Sequence, residues 1–270
     1  VLALPGQALA DQETDSSATT TATLAYDRDG YRYSDLRLTI VRDGQVLRDA
    51  PVRTKYCPEE LCSPGAYLGR PSVTVRDLDA DGEPEVLLPL FSGGTHCCTS
   101  AQVLSLNESG TGYGVTTKAF GNMPFDLKNL DARGRPELVS ADDRFSYRFS
   151  CYACSGNPVR IYRYDNGRFL ERTRLYAPQV RSDSRRWHRI YREGRGEGDV
   201  RGPLAAWAAN EYRLGNGDRV RRELSRALRR GWLSAQGDYE TGKHGRAYAQ
   251  DLHGFLRRAG YKSRAARVNR

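Results

Sequence analysis

From Thr21 to about Tyr176 the apolar residues alternate with polar ones at a period of two, and turn residues break the alternation at regular intervals. Leu36-Arg-Leu-Thr-Ile-Val41 is followed by Arg42-Asp43-Gly44 and then Gln45-Val-Leu47. Val159-Arg-Ile-Tyr-Arg-Tyr164 is followed by Asp165-Asn166-Gly167 and then Arg168-Phe-Leu-Glu-Arg-Thr173. Asp-Gly and Asn-Gly tolerate positive φ, so both stretches predict tight β-hairpins. After Val180 the pattern changes. A basic, glycine-rich stretch predicts a short helix around Trp187 to Arg192 and then a linker. Beyond it the apolar spacing becomes helical. Pro203 suits the first turn of a helix over Leu204–Leu214, Asp218 suits the cap of a helix that Gly231 ends, and a third runs to Gly260. Val220, Leu224, Ala227 and Leu228 repeat the spacing of Tyr248, Leu252, Phe255 and Leu256, so two apolar faces are expected to pack with Trp207 and Trp232 between them.

An internal repeat lies within the β region. Asp77-Leu-Asp-Ala-Asp-Gly-Glu-Pro-Glu-Val-Leu87 and Asn129-Leu-Asp-Ala-Arg-Gly-Arg-Pro-Glu-Leu-Val139 share one skeleton at an offset of 52 residues, and an earlier related unit is expected at Thr21 to Val52. Repeats of this length predict stacked or radially arranged β units. Two or three are too few for an ordinary closed propeller. The expected fold is therefore mainly β, a partial propeller-like or sandwich-like set of repeated units with a small α-helical C-terminal appendage. The expected boundaries are a signal-peptide remnant at 1–10, a β-repeat domain at 11–180, a linker at 181–202 and a basic helical region at 203–270.

The signal-peptide reading rests on the apolar first ten residues, which end in Ala8-Leu9-Ala10 before a polar stretch. No run approaches the eighteen apolar residues of a membrane-spanning helix, so no transmembrane segment is expected. Of 270 residues 39% are hydrophobic and 28% charged, ordinary values for a chain that buries its own core. The formal net charge is +9, with the excess concentrated after Arg160 and carried by arginine. A basic tail on an exported protein points to an anionic cell-envelope polymer, glycan or protein as partner, with no nucleic acid expected, while an arginine-rich solvated surface gives the same composition without a partner.

The six cysteines fall in three close sets, Cys57 with Cys62, Cys97 beside Cys98, and Cys151 with Cys154. Short disulfide loops in an oxidising compartment are the simplest reading, although six cysteines allow fifteen connectivities. A redox Cys151-Tyr-Ala-Cys154 would need a βαβ setting, and a zinc site would need free thiolates.

The most specific chemistry lies in Asp77-Leu-Asp79-Ala-Asp81-Gly82-Glu83-Pro-Glu85. Carboxylates at alternate positions of a tight loop converge when a glycine permits the turn, and hard oxygen ligands in that number suit calcium. Asp77, Asp79 and Asp81 are expected to offer side-chain oxygens, Glu83 its carbonyl and Glu85 a carboxylate. An EF-hand is excluded because its twelfth position is Leu88 and the flanks read as strands. In the second copy, Asn129 to Glu137, Arg133 stands at a ligand position, so no calcium is expected there and Arg133 is expected to pair with Asp131 or Glu137.

Asp77–Val86 followed by Leu90-Phe-Ser-Gly-Gly-Thr-His-Cys-Cys98 resembles the calcium-loop repeats called FG-GAP or VCBS, found in integrin-like propellers and many exported bacterial proteins. With the segments at Ser34–Val46 and Pro203–Asp218, nearly the whole chain looks like a group of secreted actinobacterial proteins of unassigned activity. That resemblance implies calcium at Asp77, Asp79, Asp81 and Glu85.

Other candidates are weaker. Gly237 to Lys243 approximates a phosphate-binding loop but has His244 where a hydroxyl is needed. His96, just beyond the acidic loop, and the aromatic residues Tyr147 and Tyr152 are candidates for a ligand-contacting rim. With Phe145 and Phe149 the two tyrosines occupy the comparable loop of the second unit, where all four are expected either to fill the core or to stack on a sugar. The sequence points to a secreted or cell-surface calcium-binding interaction protein. The alternative is a secreted hydrolase acting on an envelope polymer with Asp142, Asp143, His96 or Glu137 in a cleft; no catalytic motif singles that out.

Overall fold

Asp43 and Gly44 (φ 48° and 78°) and Asn166 and Gly167 (φ 43° and 75°) all take positive φ, as their two hairpins require. The first joins β3 (Arg32–Arg42) to β4 (Gln45–Pro51), the second β12 (Val159–Asp165) to β13 (Arg168–Glu171). The computed structural model describes residues 11–58, 62–94, 97–132, 134–196, 198–234 and 243–262. The expected signal segment therefore lies outside the described residues. Among the described residues the fold is mainly β, with several antiparallel sheets, four helices and no closed barrel.

The chain divides into two compact units, the first made of residues 1–138 and 163–170, the second of 139–162 and 171–270. In the first, β1 (Asp11–Ser17), β2 (Thr20–Asp29), β3 and β4 form a meander in chain order. It begins ten residues before the expected Thr21. Strand β2 alternates buried and half-buried residues, placing Ala22, Leu24 and Tyr26 in the core beside Leu38 and Ile40 of β3. The second sheet contains β5 (Ser63–Pro64), β6 (Thr74–Arg76), β7 (Glu85–Gly94), β8 (Cys97–Leu106) and β9 (Tyr113–Gly121), with β6 pairing on β7. The first six residues of β7, Glu85 to Leu90, are all buried, which explains the continuous apolar run of its sequence. A third sheet runs in the order β10 (Asp126–Lys128), β11 (Glu137–Ala141), β12, β13.

The second unit is organised by α2 (Arg201–Arg213), in which Arg201 through Glu211 are all buried. A helix apolar on every side belongs at the centre of a bundle. Around it lie α1 (Ala177–Glu193), α3 (Gly217–Arg229) and α4 (Gly245–Arg258), whose Trp187, Tyr191, Val220, Ala227, Tyr248, Leu252 and Leu256 share one core with Trp207. Leu224, Leu228, Trp232 and Phe255 pack at its edge, so the two expected helical faces meet there. Gly202 and Gly156 allow the closest backbone approach in this unit. A Cβ on Gly156 would lie 2.6 Å from the Gly202 carbonyl oxygen, and one on Gly202 would overlap the Cys154 carbonyl.

The expected linker at 181–202 is corrected by α1, which covers residues 177–193 in one 17-residue helix. Pro178 starts it, Val180, Ser184, Trp187 and Tyr191 form its buried stripe, and arginine is a good helix former. Asn216, not Asp218, precedes α3, and Asp218 lies in its first turn.

Candidate metal centre

The acidic loop leaves β6 at Arg76 and re-enters the sheet at Glu85. Two left-handed residues, Ala80 (φ 64°) and Gly82 (φ 94°), turn it back on itself. Asp77 supports the turn from within. Its Oδ1 accepts from the Ala80 N–H at 2.6 Å and its Oδ2 from the Gly82 N–H at 3.0 Å, the local bonding that aspartate offers a turn. Glu85 is 3% exposed and accepts the Leu78 N–H at 2.8 Å through Oε2. Asp79 Oδ2 accepts the Asn166 N–H at 2.9 Å, from the β12–β13 hairpin, while its Oδ1 is buried with no hydrogen-bond partner.

One carboxylate oxygen each from Asp77, Asp79 and Glu85 comes within 4.8 Å of the others. Burial pushes Glu85 up to about 8, and the charges of Asp79, Asp81 and Asp77 add to it against the opposing Leu78 hydrogen bond. Asp79 is raised by burial and by Asp81 and Asp77, opposed by the Asn166 amide. Three clustered acids, two of them resisting ionisation, and one buried oxygen without a donor are the electrostatic opposite of a site for an anion. A hard cation satisfies all of these groups at once.

Of the four expected ligand side chains, that of Asp81 is outside this cluster, and the side chain of Glu83, expected to offer only its carbonyl, is engaged elsewhere. Asp81 is exposed, and its Oδ1 accepts the Glu83 N–H at 2.8 Å. The Glu83 carboxylate is ion-paired with the Arg42 guanidinium, which lowers its pKa.

At its described residues the second loop repeats features of the first but has its own internal cation. Ala132 and Gly134 are left-handed at φ 57° and 80°, and the Leu130 N–H donates to Glu137 Oε2 at 2.8 Å, repeating the Leu78–Glu85 bond. Asp131 and Glu137 occupy the places of Asp79 and Glu85, 52 residues on. Between them lies the Arg163 guanidinium, with Nη2 2.6 Å from Asp131 Oδ2 and Nε 3.3 Å from Glu137 Oε1. Arg133, the expected partner, lies outside the described residues. Sequence reasoning missed Arg163 because β12 delivers it from 26 residues beyond Glu137. In the first loop, among the described residues, no arginine lies within ion-pair distance of Asp77, Asp79 or Glu85, although the charge of Arg135 lowers Asp79 from farther off. The Val86–Leu104 pair of β7 and β8, continued by one residue in an antiparallel register, places Ser105 opposite Glu85, and Ser105 Oγ lies 2.7 Å from the Tyr164 hydroxyl.

The remaining candidates separate. His96 lies outside the described residues, as does the loop from 237 to 242. Tyr147 and Tyr152 belong to the second unit, with ring centroids 5.0 Å apart and Tyr147 about half exposed. Phe145 and Phe149 are core. The sulfurs pair as Cys57–Cys62, Cys97–Cys98 and Cys151–Cys154. Of the acids considered for hydrolysis, Glu137 is held by Arg163, and Asp142 accepts from Arg144 at 2.6 and 2.8 Å and from the Tyr261 hydroxyl at 2.7 Å. Burial would raise Asp142, but Arg144, Arg160 and Tyr261 outweigh it and hold it below the usual carboxylate range. Neither is arranged as a general acid.

The chain is 35% identical over 99 residues to a probable thylakoid lumen protein of Synechocystis sp., a match covering 36% of this chain and 29% of that protein. It is 31% identical over 96 residues to an uncharacterized protein of Sinorhizobium fredii, covering 34% of this chain and 14% of that protein. The chain thus spans less than a third of either relative. No protein-family profile matches it, and no solved structure matches. Among the described residues no helix is long and apolar enough to cross a membrane.

Proposed function

We propose that this is an exported, calcium-binding β-repeat protein of the FG-GAP/VCBS type whose work is to bind a cell-envelope polymer, glycan or protein. The observation that carries the calcium reading is the comparison of its two loops. Where the second loop sets Arg163 between Asp131 and Glu137, the first has the same two acids and adds Asp77, and among the described residues no guanidinium lies within ion-pair distance of them, Arg135 acting on Asp79 only from farther off. Calcium held by Asp77, Asp79 and Glu85 balances that charge, gives Asp79 Oδ1 a partner and fixes the loop against β7. Its role is structural, and recognition belongs to the surfaces it holds in place. Export is supported by the three cysteine pairs and by the likeness to a probable lumen protein.

The test is thermal unfolding of the protein with calcium and with chelator, beside Asp79→Ala in both conditions. Calcium should raise the melting temperature of the parent by several degrees and leave the variant unmoved. An equal response of both proteins, or none in either, sinks the reading.

A further inference from the structure

Helices α1 and α3 carry the same arrangement of arginines. Arg185, Arg189 and Arg192 on α1, and Arg222, Arg226 and Arg229 on α3, each follow the spacing i, i+4, i+7, which places three side chains along one helix face. The first three line one open cleft of about 450 Å³ and the second three another of about 530 Å³. The two helices are joined beside these clefts by the Tyr191 hydroxyl, which donates to Glu223 Oε1 at 2.9 Å. His188 lines the α1 cleft, and burial and the nearby Arg219 lower its pKa.

Elsewhere in the protein some exposed or half-exposed arginines are spent on carboxylates, as in Arg37–Asp49, Arg135–Asp165 and Arg148–Asp251. Others, such as Arg28, Arg32 and Arg76, have no carboxylate partner among the described residues but are not gathered on a helix face. These two faces each gather three arginines with almost no carboxylate between them. Among the described residues no carboxylate lies within ion-pair distance of Arg185, Arg189, Arg192, Arg222 or Arg229, and Arg226 has only the distant Glu223 at 3.9 Å. Glu193 and Glu223 are the acids lining the clefts. Like charges at i, i+4 oppose helix formation, so this pattern is unfavourable to the isolated fold.

We propose that the α1 and α3 arginine faces bind a soluble linear polyanion that carries phosphate groups. Guanidinium forks suit phosphate and carboxylate alike, and three of them lining one open cleft favour tetrahedral phosphate, whose oxygens accept in more directions than those of a planar carboxylate. Arg195 closes the α1 cleft with its guanidinium 4.6 Å from the Trp232 ring centroid. A membrane surface fits less well. An interfacial helix presents its apolar face to lipid, whereas Val180, Trp187 and Tyr191 of α1 are buried in the bundle core. The proposal deepens the polymer-binding half of the proposed function and does not depend on the calcium half.

The experiment measures binding of short-chain inorganic polyphosphate to the full chain by titration at several salt concentrations. It compares the parent, R185Q/R189Q/R192Q, R222Q/R226Q/R229Q and the control R28Q/R32Q/R76Q, with melting temperature and calcium uptake read on each. The parent should bind with affinity falling steeply with salt. Each helical triple variant should lose at least tenfold and show a slope shallower by about 2 to 3, with calcium uptake unchanged, and the control should lose less than threefold. Equal losses in the control, equal binding of a carboxylate polymer such as polyglutamate, or binding only to phosphatidylglycerol vesicles would each overturn the proposal. Loss of calcium uptake in the parent with intact polyphosphate binding would count against the metal reading alone.

Discussion

Arg163 and Glu137 meet inside the first unit, with the guanidinium Nε 3.3 Å from a carboxylate that is 0% exposed. The same guanidinium reaches Asp131, so one arginine neutralises a pair of acids that the first loop presents without such a partner. Removing one member of a buried ion pair leaves the other uncompensated. Arg163→Ala should destabilise the protein by about 3–5 kcal/mol, measured by urea unfolding. A loss below about 1 kcal/mol would show that the pair is solvated and that the analogy with a bound cation is empty.

The converse substitution introduces an arginine where the first loop has none. Ser105→Arg should place a guanidinium near Glu85 and compete with calcium, lowering calcium affinity at least tenfold in a direct titration. Unchanged affinity would mean that Ser105 does not face the three acids.

The raised pKa of Glu85 would give the proposed calcium binding a pH dependence. The group is lifted from its ordinary 4.5 to about 8, so the calcium-free folded protein holds a proton there that the unfolded chain releases. Its stabilising effect is complete below about 4.5 and is lost as pH rises towards 8. Calcium requires the ionised form, so affinity should rise from pH 5 to pH 8 with protons released on binding. Calorimetry in buffers of different ionisation enthalpy reads this directly, and Glu85→Gln should remove most of the proton release, leaving only what Asp79 contributes.

Asp142 has the opposite sign. Its carboxyl is held below the ordinary 3.8 by Arg144, Arg160 and Tyr261 despite its burial, so its contribution is present above that pH and is lost as pH falls through the lower folded value. Asp142→Asn should cost about 3 kcal/mol at pH 7, as for one partner of a buried pair, and much less at pH 2. An equal loss at both values would assign the effect to packing.

Gly202→Ala tests the backbone contact under α2. The added methyl would overlap the Cys154 carbonyl, and overpacking of this kind costs about 1–3 kcal/mol. An Ala variant with parental stability would show that the Cys151–Cys154 loop yields freely.

Much of this architecture is written in local pattern. The two hairpins were legible because Asp43-Gly44 and Asn166-Gly167 state their own backbone angles, and the repeat was legible because both loops keep the same Leu, Ala, Gly and Pro-Glu positions. Helix α1 was legible only in its last turns, as the short helix expected around Trp187 to Arg192, because the basic residues from Arg181 and the glycines at 194, 196 and 198 read as a linker and obscured the buried Val180, Trp187 and Tyr191 stripe. At the site, the convergence of Asp77, Asp79 and Glu85 was readable from alternate spacing, but spacing alone could not show that Asp81 is exposed or that the Glu83 carboxylate pairs with Arg42 from another sheet. Arg163 was beyond local reading altogether, since its role exists only once β12 has returned the chain to the second loop. The arginine stripes needed the ion-pair pattern to distinguish them from a merely basic surface.

That return has a consequence for how the chain is made. The first unit ends its opening segment at Leu138, beside the buried Glu137, and regains the chain for residues 163–170 only after 24 residues that belong to the second. A polypeptide emerging from a ribosome or an export channel therefore reaches Glu137 well before Arg163 can neutralise it and before the Asn166 amide can reach Asp79. The first unit, although it comes first in sequence, cannot be completed until the second has begun to emerge.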